Sequence, residues 1–223
     1  MNSSLLAAMR RPGICLALAS VSLSFAQDQA VIPLPKPHTD GGKPLMQALK
    51  ERKSTREFAP RPLTDQQLSD LLWAAFGVSR PDGHRTAPST MNLRCIDVYV
   101  GTADGLFLFD PDAHALKPVL KEDIRAATTG QAELRVAPVA LIFVADHTRM
   151  AKVAPAEREF YAAADTGYIS QNVYLFCASE GWATVVRAVN QAALAKSMRL
   201  GDDKKVILAQ SVGYPKPTDA PSK

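Results

Sequence analysis

Arg52-Lys53-Ser54-Thr55-Arg56-Glu57-Phe58 sets two arginines and a serine at intervals of two. In extended backbone Arg52, Ser54 and Arg56 face one way, and in a helix Arg52 and Arg56 still share a face. Two forked guanidiniums and a hydroxyl therefore converge in either case, a donor set suited to a phosphate. A solvated basic turn is the competing reading. A second polar stretch, Arg85-Thr86-Ala87-Pro88-Ser89-Thr90-Met91-Asn92, has a stiffening proline and an asparagine amide that both donates and accepts, so it suits the lactam-like edge of a heterocycle. As an ordinary loop it would need no ligand. A third group, Gly167, Gln171, Tyr174 and Ala178, recurs at helical spacing, and Gln171-Asn172 lie in apolar surroundings where an amide needs a partner, a backbone carbonyl being the usual one. After Glu180-Gly181, the segment Trp182 to Arg187 follows a turn that exposes backbone N–H groups.

Other chemistries are missing. No G-x-G-x-x-G, no G-x-x-x-x-G-K-[ST], no G-x-S-x-G and no paired Cys or His at metal spacing occurs in the chain. His38, His84, His114 and His147 are scattered and read as surface residues, so no metal is expected.

These groups must be held by a core, and the hydrophobic periodicity indicates which one. A short helix is expected over Leu45 to Lys53. A longer one starts at Thr64, where Thr64-Asp65-Gln66-Gln67 fits a capping box, and ends at Gly77. Ile96 to Val100, Leu106 to Phe109 and Ala115 to Leu120 read as a small meander. The unbroken apolar, β-branched run Ala137 to Val144 suits a central strand buried on both faces. Glu157 to Glu180 is the longest helical pattern; between Tyr161 and Ser179 its one charged residue is Asp165, so it is expected to be largely buried. A strand over Trp182 to Val189, a helix capped by Asn190 and running to about Leu200, and a closing strand Lys205 to Tyr214 complete the order. Helices and strands interleave without a βαβ rhythm, which implies an α+β sandwich.

The 223 residues suit one domain, and 47% hydrophobic with 22% charged residues is an ordinary globular balance. Residues 1–26 differ: Arg10 and Arg11 precede an apolar stretch from Ile14 to Phe25, and Ser24-Phe25-Ala26 is a small-x-small site. That is the pattern of a cleaved secretory signal, too short in its apolar part to span a bilayer, so an exported, periplasmic protein is expected. Residues 27–43 read as an extended, Pro-rich leader to a domain over 44–223. Losing Arg10 and Arg11 takes the formal charge from +4 to about +2, spread without runs, and nothing in it suggests a nucleic-acid partner. Of the three cysteines Cys15 leaves with the signal; Cys95 and Cys177 either pair or sit as buried thiols, and the apolar setting of Cys177 favours the second.

Together the motifs resemble the nitroreductase-like flavoprotein family, which opens with R-x-S-x-R-x-F/Y and continues with P-S-x-x-N. Arg52 to Phe58 and Pro88-Ser89-Thr90-Met91-Asn92 match both. Gln171-Asn172, Gly181-Trp182-Ala183-Thr184 and Gly213-Tyr214-Pro215 are similar to later family segments, and the resemblance runs from about residue 45 to 216. The branch it most resembles includes dehydrogenases related to azoline-forming peptide oxidases. The resemblance implies an α+β sandwich with a central mixed or antiparallel sheet, a homodimer with one FMN at each of two interface sites, and electron-pair transfer to or from a small organic substrate. A non-catalytic exported flavin carrier is the alternative. By motif, Arg52, Lys53, Ser54 and Arg56 would hold phosphate and ribityl, with Lys216 reaching the phosphate from the tail. Pro88, Ser89, Thr90, Met91 and Asn92 would line the isoalloxazine with Gln171, and the turn at Ala183, Thr184 and Val185 would present a backbone N–H to flavin N5. Arg94 stands where many relatives have Gln, and Trp182 replaces a smaller aliphatic residue.

Overall fold

The computed structural model describes residues 30–217, so the expected signal segment, residues 1–26, lies outside the described residues. Strands β1 (Ile32–Pro33), β2 (Ile96–Thr102), β3 (Gly105–Asp110), β4 (Ala115–Leu120), β5 (Val139–Asp146), β6 (Ala183–Arg187) and β7 (Lys204–Gly213) form one sheet in the order β1-β4-β3-β2-β5-β7-β6. Every neighbouring pair is antiparallel, so the α+β expectation resolves to a purely antiparallel sheet. The helices are α1 (Leu45–Glu51), α2 (Asp65–Phe76), α3 (Arg158–Glu180) and α4 (Gln191–Ser197).

The unbroken apolar run of β5 has a direct cause: β5 lies between β2 and β7 and is covered on both faces. Leu141 and Phe143 pack with Leu71 and Leu72 of α2 and with Ile169 and Val173 of α3. Ile142 and Val144 point the other way, against Leu194 and Met198 at α4. Each such buried side chain contributes roughly 1.5–3 kcal/mol relative to exposure.

Local chemistry sets the ends of the elements that later carry the site. Thr64 and Gln67 form the reciprocal capping box of α2, with the Gln67 N–H donating to Thr64 Oγ1 at 3.3 Å. Gly181 takes φ 72, a left-handed conformation that closes α3 and turns the chain into β6. Helix α1 stops at Glu51, two residues before the expected end, because Arg52 is extended (φ −57, ψ 122) and the next residues run along β6. The leader is extended as its prolines require, and it is also fastened down: β1 pairs with β4, and the Gln66 side chain donates to the Lys36 carbonyl at 3.0 Å.

Helix α3 is covered on one face within a single chain. Its buried face carries Asp165, Thr166, Ile169, Val173, Tyr174 and Cys177, while Phe160 (71% exposed), Gly167, Tyr168 (49%) and Gln171 form an open stripe. The sheet of one chain covers only one side of the helix. Gln171 is therefore exposed, contrary to the buried amide expected; Asn172 turns inward and donates to the Ala75 carbonyl at 3.4 Å. Cys95 and Cys177 are both free and buried.

At the β2–β3 turn Gly105 has φ +140, and a Cβ there would overlap the Leu120 carbonyl oxygen. Gly105→Ala meets both backbone strain and a backbone clash, so it is expected to destabilise the fold by about 3 kcal/mol or more. Urea denaturation checks this: a midpoint within experimental error of the parent would show that the turn yields easily.

Candidate functional site

The basic motif is built against the free edge of the sheet. The Thr55 N–H donates to the Thr184 carbonyl at 2.9 Å, which lays residues after α1 beside β6. On the other side of the motif, the Lys216 N–H donates to the Glu57 carbonyl at 3.1 Å and the Ala59 N–H to the Tyr214 carbonyl at 2.9 Å. Three segments far apart in sequence thus meet. In an antiparallel ladder the N–H and C=O of one residue point to the same side, so Thr184 also directs its N–H away from β7.

Tyr174 joins these pieces. Its hydroxyl accepts from the Val186 N–H at 3.0 Å and lies 2.8 Å from Ser54 Oγ, while the Arg52 guanidinium stands 5.3 Å from its ring centroid. One phenol therefore orders the arginine, the serine and the β6 backbone.

A cavity of about 490 Å3 opens here, lined among others by Lys43, Lys53, Trp182, Thr184 and Lys216. Lys43 pairs with Glu51 at 2.6 Å, and its hydrogen bond holds the Glu51 carboxyl below the usual range. Among the described residues Arg52, Lys53, Arg56 and Lys216 meet no carboxylate, and Glu57 is the one acid in the lining without a cationic partner. The balance favours an anion. Arg52, Ser54 and Arg56 all stand outside the cavity wall; Arg52 and Ser54 border it through Tyr174, and Arg56 is exposed.

The loop Pro88 to Asn92 is held separately and under strain. Met91, Asn92 and Arg94 take φ of 48, 54 and 50, a left-handed conformation that costs non-glycine residues free energy and collects at functional sites. Asp165 pins it: its carboxylate accepts from the Thr90 N–H at 3.0 and 3.1 Å and from Thr90 Oγ1 at 3.0 Å. Ser89 Oγ accepts from the Arg94 N–H at 3.1 Å, and Arg94 Nε donates to Asn92 Oδ1 at 3.2 Å. Cys95 lies 3.6 Å from Asp165; burial, followed by that carboxylate, pushes its thiol up to about 12, so it stays a neutral donor. Pro88, Ser89 and Asn92 border a second cavity of about 590 Å3 with Arg80 and Arg85.

One chain does not bring the two motifs into one cavity. They are anchored on α3 at Asp165 and Tyr174, nine residues or roughly 14 Å apart along the helix. Gln171 lies on the open stripe and lines neither cavity. Ala183, Thr184 and Val185 are buried, and only the Thr184 backbone faces outward. Sequence reasoning missed Tyr174 as the bridge and Asp165 as the clamp; a lone acid in an apolar helix was the available signal for the second. Among the described residues there is no group of acids, cysteines and histidines fit for a metal, and no helix long and apolar enough to cross a membrane.

Residues 49–214 match the model of the nitroreductase family. A nitroreductase-named protein of Methanocaldococcus jannaschii is 32% identical over 151 residues, which is 63% of this chain and 76% of the relative. The crystal structure of a nitroreductase-named protein from Ralstonia eutropha superposes with TM-score 0.82 at 44% identity, over 86% of this chain and 92% of that one. The NADPH:FMN oxidoreductase from Vibrio harveyi shares the fold at TM-score 0.57 and 22% identity, over 78% of this chain and 69% of its own.

Proposed function

Because this chain belongs to the nitroreductase family of flavin-dependent oxidoreductases, we propose that it holds FMN and exchanges electron pairs with a small organic substrate such as a nitro compound, a quinone or a dehydrogenation substrate. The observation that carries this reading is the cavity beside β6, where uncompensated cations meet an outward backbone N–H. Lys53 and Lys216 of the wall, with Arg52 beside it over the Tyr174 ring, suit a phosphate, and Tyr174 orients Ser54 for a neighbouring hydroxyl. When bound, FMN supplies two-electron redox chemistry at its ring. The Thr184 N–H is a fixed donor, and such a donor stabilises charge that reduction places on the ring. The strained loop offers the Asn92 amide and an apolar wall from Pro88 and Met91.

The separation of the two motifs supports a homodimer with shared sites. A two-fold axis placed perpendicular to α3 between Ile169 and Ser170 would exchange the levels of positions 165 and 174, because both lie 4.5 residues from that centre. The loop of one subunit then stands at the level of the other's basic motif. The exposed stripe of α3, with Leu45 (63% exposed), Met46 (75%) and Leu49 (43%) of α1, supplies apolar surface for the contact. Static light scattering is expected to give a dimeric mass at micromolar concentration; a monomer with flavin bound would show that the site needs no second subunit. Export through residues 1–26 belongs to the same proposal.

The purified protein is expected to be yellow, with oxidised-flavin absorbance that survives gel filtration and a released cofactor that chromatographs as FMN. After anaerobic reduction with dithionite, quinones or nitroaromatics should reoxidise it faster than air alone. Binding without accelerated reoxidation over a broad panel would favour the carrier role, and uptake of neither FMN nor FAD would end the flavin reading.

A further inference from the structure

Arg187 closes β6 on the side of the sheet turned away from α3. Side chains alternate along a strand, and Thr184 shares its face with its partner Val212, which packs in the α2–α3 layer; Val185 and Arg187 point the other way. There the guanidinium meets neutral groups alone: Nε donates to the Thr128 carbonyl at 3.0 Å, Nη1 to Ser211 Oγ at 2.7 Å and Nη2 to Thr128 Oγ1 at 2.6 Å. Three of its five N–H groups are used, and each terminal nitrogen keeps one. No carboxylate pairs with it among the described residues, whereas Arg85, Arg125 and Arg149 each meet an aspartate. Burial alone brings its pKa down to about 10, which leaves it a cation at neutral pH.

A half-buried charge with neutral partners is under-compensated in its own chain. A cavity of about 460 Å3 lies against it, lined also by Thr128, Thr129, Gln131 and Asn190, with no acid in its wall. The lining supplies hydroxyl and amide groups around one cation. A planar guanidinium with an N–H free on each terminal nitrogen matches a planar carboxylate better than it matches a tetrahedral anion.

We propose that this cavity is a carboxylate subsite, with Arg187 the specificity-determining residue for small organic acids. Its role toward substrate rests on the flavin reading, because Arg187 is three residues, roughly 10 Å, along β6 from the outward Thr184 backbone. The preferred substrate class is then a reducible or oxidisable small molecule carrying a carboxylate. Binding of the carboxylate itself needs no flavin.

Three measurements test it on the full protein. Titration with benzoate, followed by calorimetry, is expected to show one site per chain that Arg187→Gln weakens by about 10- to 100-fold, the loss of a charge-assisted hydrogen-bond pair. Arg187→Lys, which keeps the charge and loses the fork, should fall between. In turnover, 4-nitrobenzoate should have a lower KM than nitrobenzene, and Arg187→Gln should raise the first and leave the second unchanged. As a check that needs no variant, benzoate should protect Arg187 of the parent protein from phenylglyoxal, read by mass spectrometry. Absence of benzoate binding, binding unchanged in a folded Arg187→Gln protein, failure of protection, or displacement by inorganic phosphate at equal concentration would each overturn the carboxylate subsite. Benzoate binding at Arg187 in a protein that takes up no flavin would uphold the subsite and reject the flavin reading; flavin binding without benzoate binding would do the reverse.

Discussion

Arg52→Ala combined with Arg56→Ala is expected to lower FMN affinity by about 100-fold or more, since each charge-assisted hydrogen bond to a phosphate contributes about 1.5–3 kcal/mol. The two arginines have different standing. Arg52 is already oriented, stacked over the Tyr174 ring, so its ordering cost is met before a ligand arrives. Arg56 is exposed and meets no partner among the described residues, so it loses more side-chain freedom on binding and should contribute the smaller share. Tyr174→Phe should act through orientation, releasing Ser54 and the Val186 N–H, and weaken FMN by roughly tenfold. Quenching of flavin fluorescence on titration measures all three variants. An unchanged dissociation constant in the folded double variant would remove the phosphate assignment.

Asp165→Ala is expected to cost about 2–4 kcal/mol of stability, because it removes the acceptor for the Thr90 N–H and hydroxyl and leaves two half-buried donors unpaired. The variant also frees the left-handed run at Met91, Asn92 and Arg94, which should loosen the Asn92 edge and reduce flavin affinity further. Asp165→Asn keeps one acceptor oxygen and should lie between the parent and the alanine variant. Cys95→Ala, which removes only the weak thiol donor, should cost far less at the clamp itself. Urea midpoints at constant slope give the stability difference, and a loss under about 1 kcal/mol in Asp165→Ala would mean that the loop is held by other contacts.

The elements were legible in the sequence because each rests on short-range physics. The capping box at Thr64 and the left-handed Gly181 are fixed by their immediate neighbours. The β-branched run now seen as β5 could satisfy its apolar residues only as a strand covered on both faces. The motifs around Arg52 and Pro88 were legible too, since they are contiguous, and so was the family they resemble.

How residues far apart in the chain meet was not legible in this way. Ser54 and Tyr174 are separated by 120 positions, Thr90 and Asp165 by 75, and Arg187 and Thr128 by 59. No local pattern encodes such pairs, because they arise when β6 packs on β7 and α3 crosses the sheet. The same packing turned Gln171 outward and left Asn172 inward: helix periodicity states which residues share a face, and the cover on that face comes from the rest of the molecule. Backbone sterics, capping and hydrophobic period thus carry the main helices and strands and the contiguous donor sets, while strand β1 emerges only from its pairing with β4. The tertiary structure decided which donors share a cavity, which charges lack a partner and which surface remains open, because those depend on burial and distance between segments that local sequence does not relate.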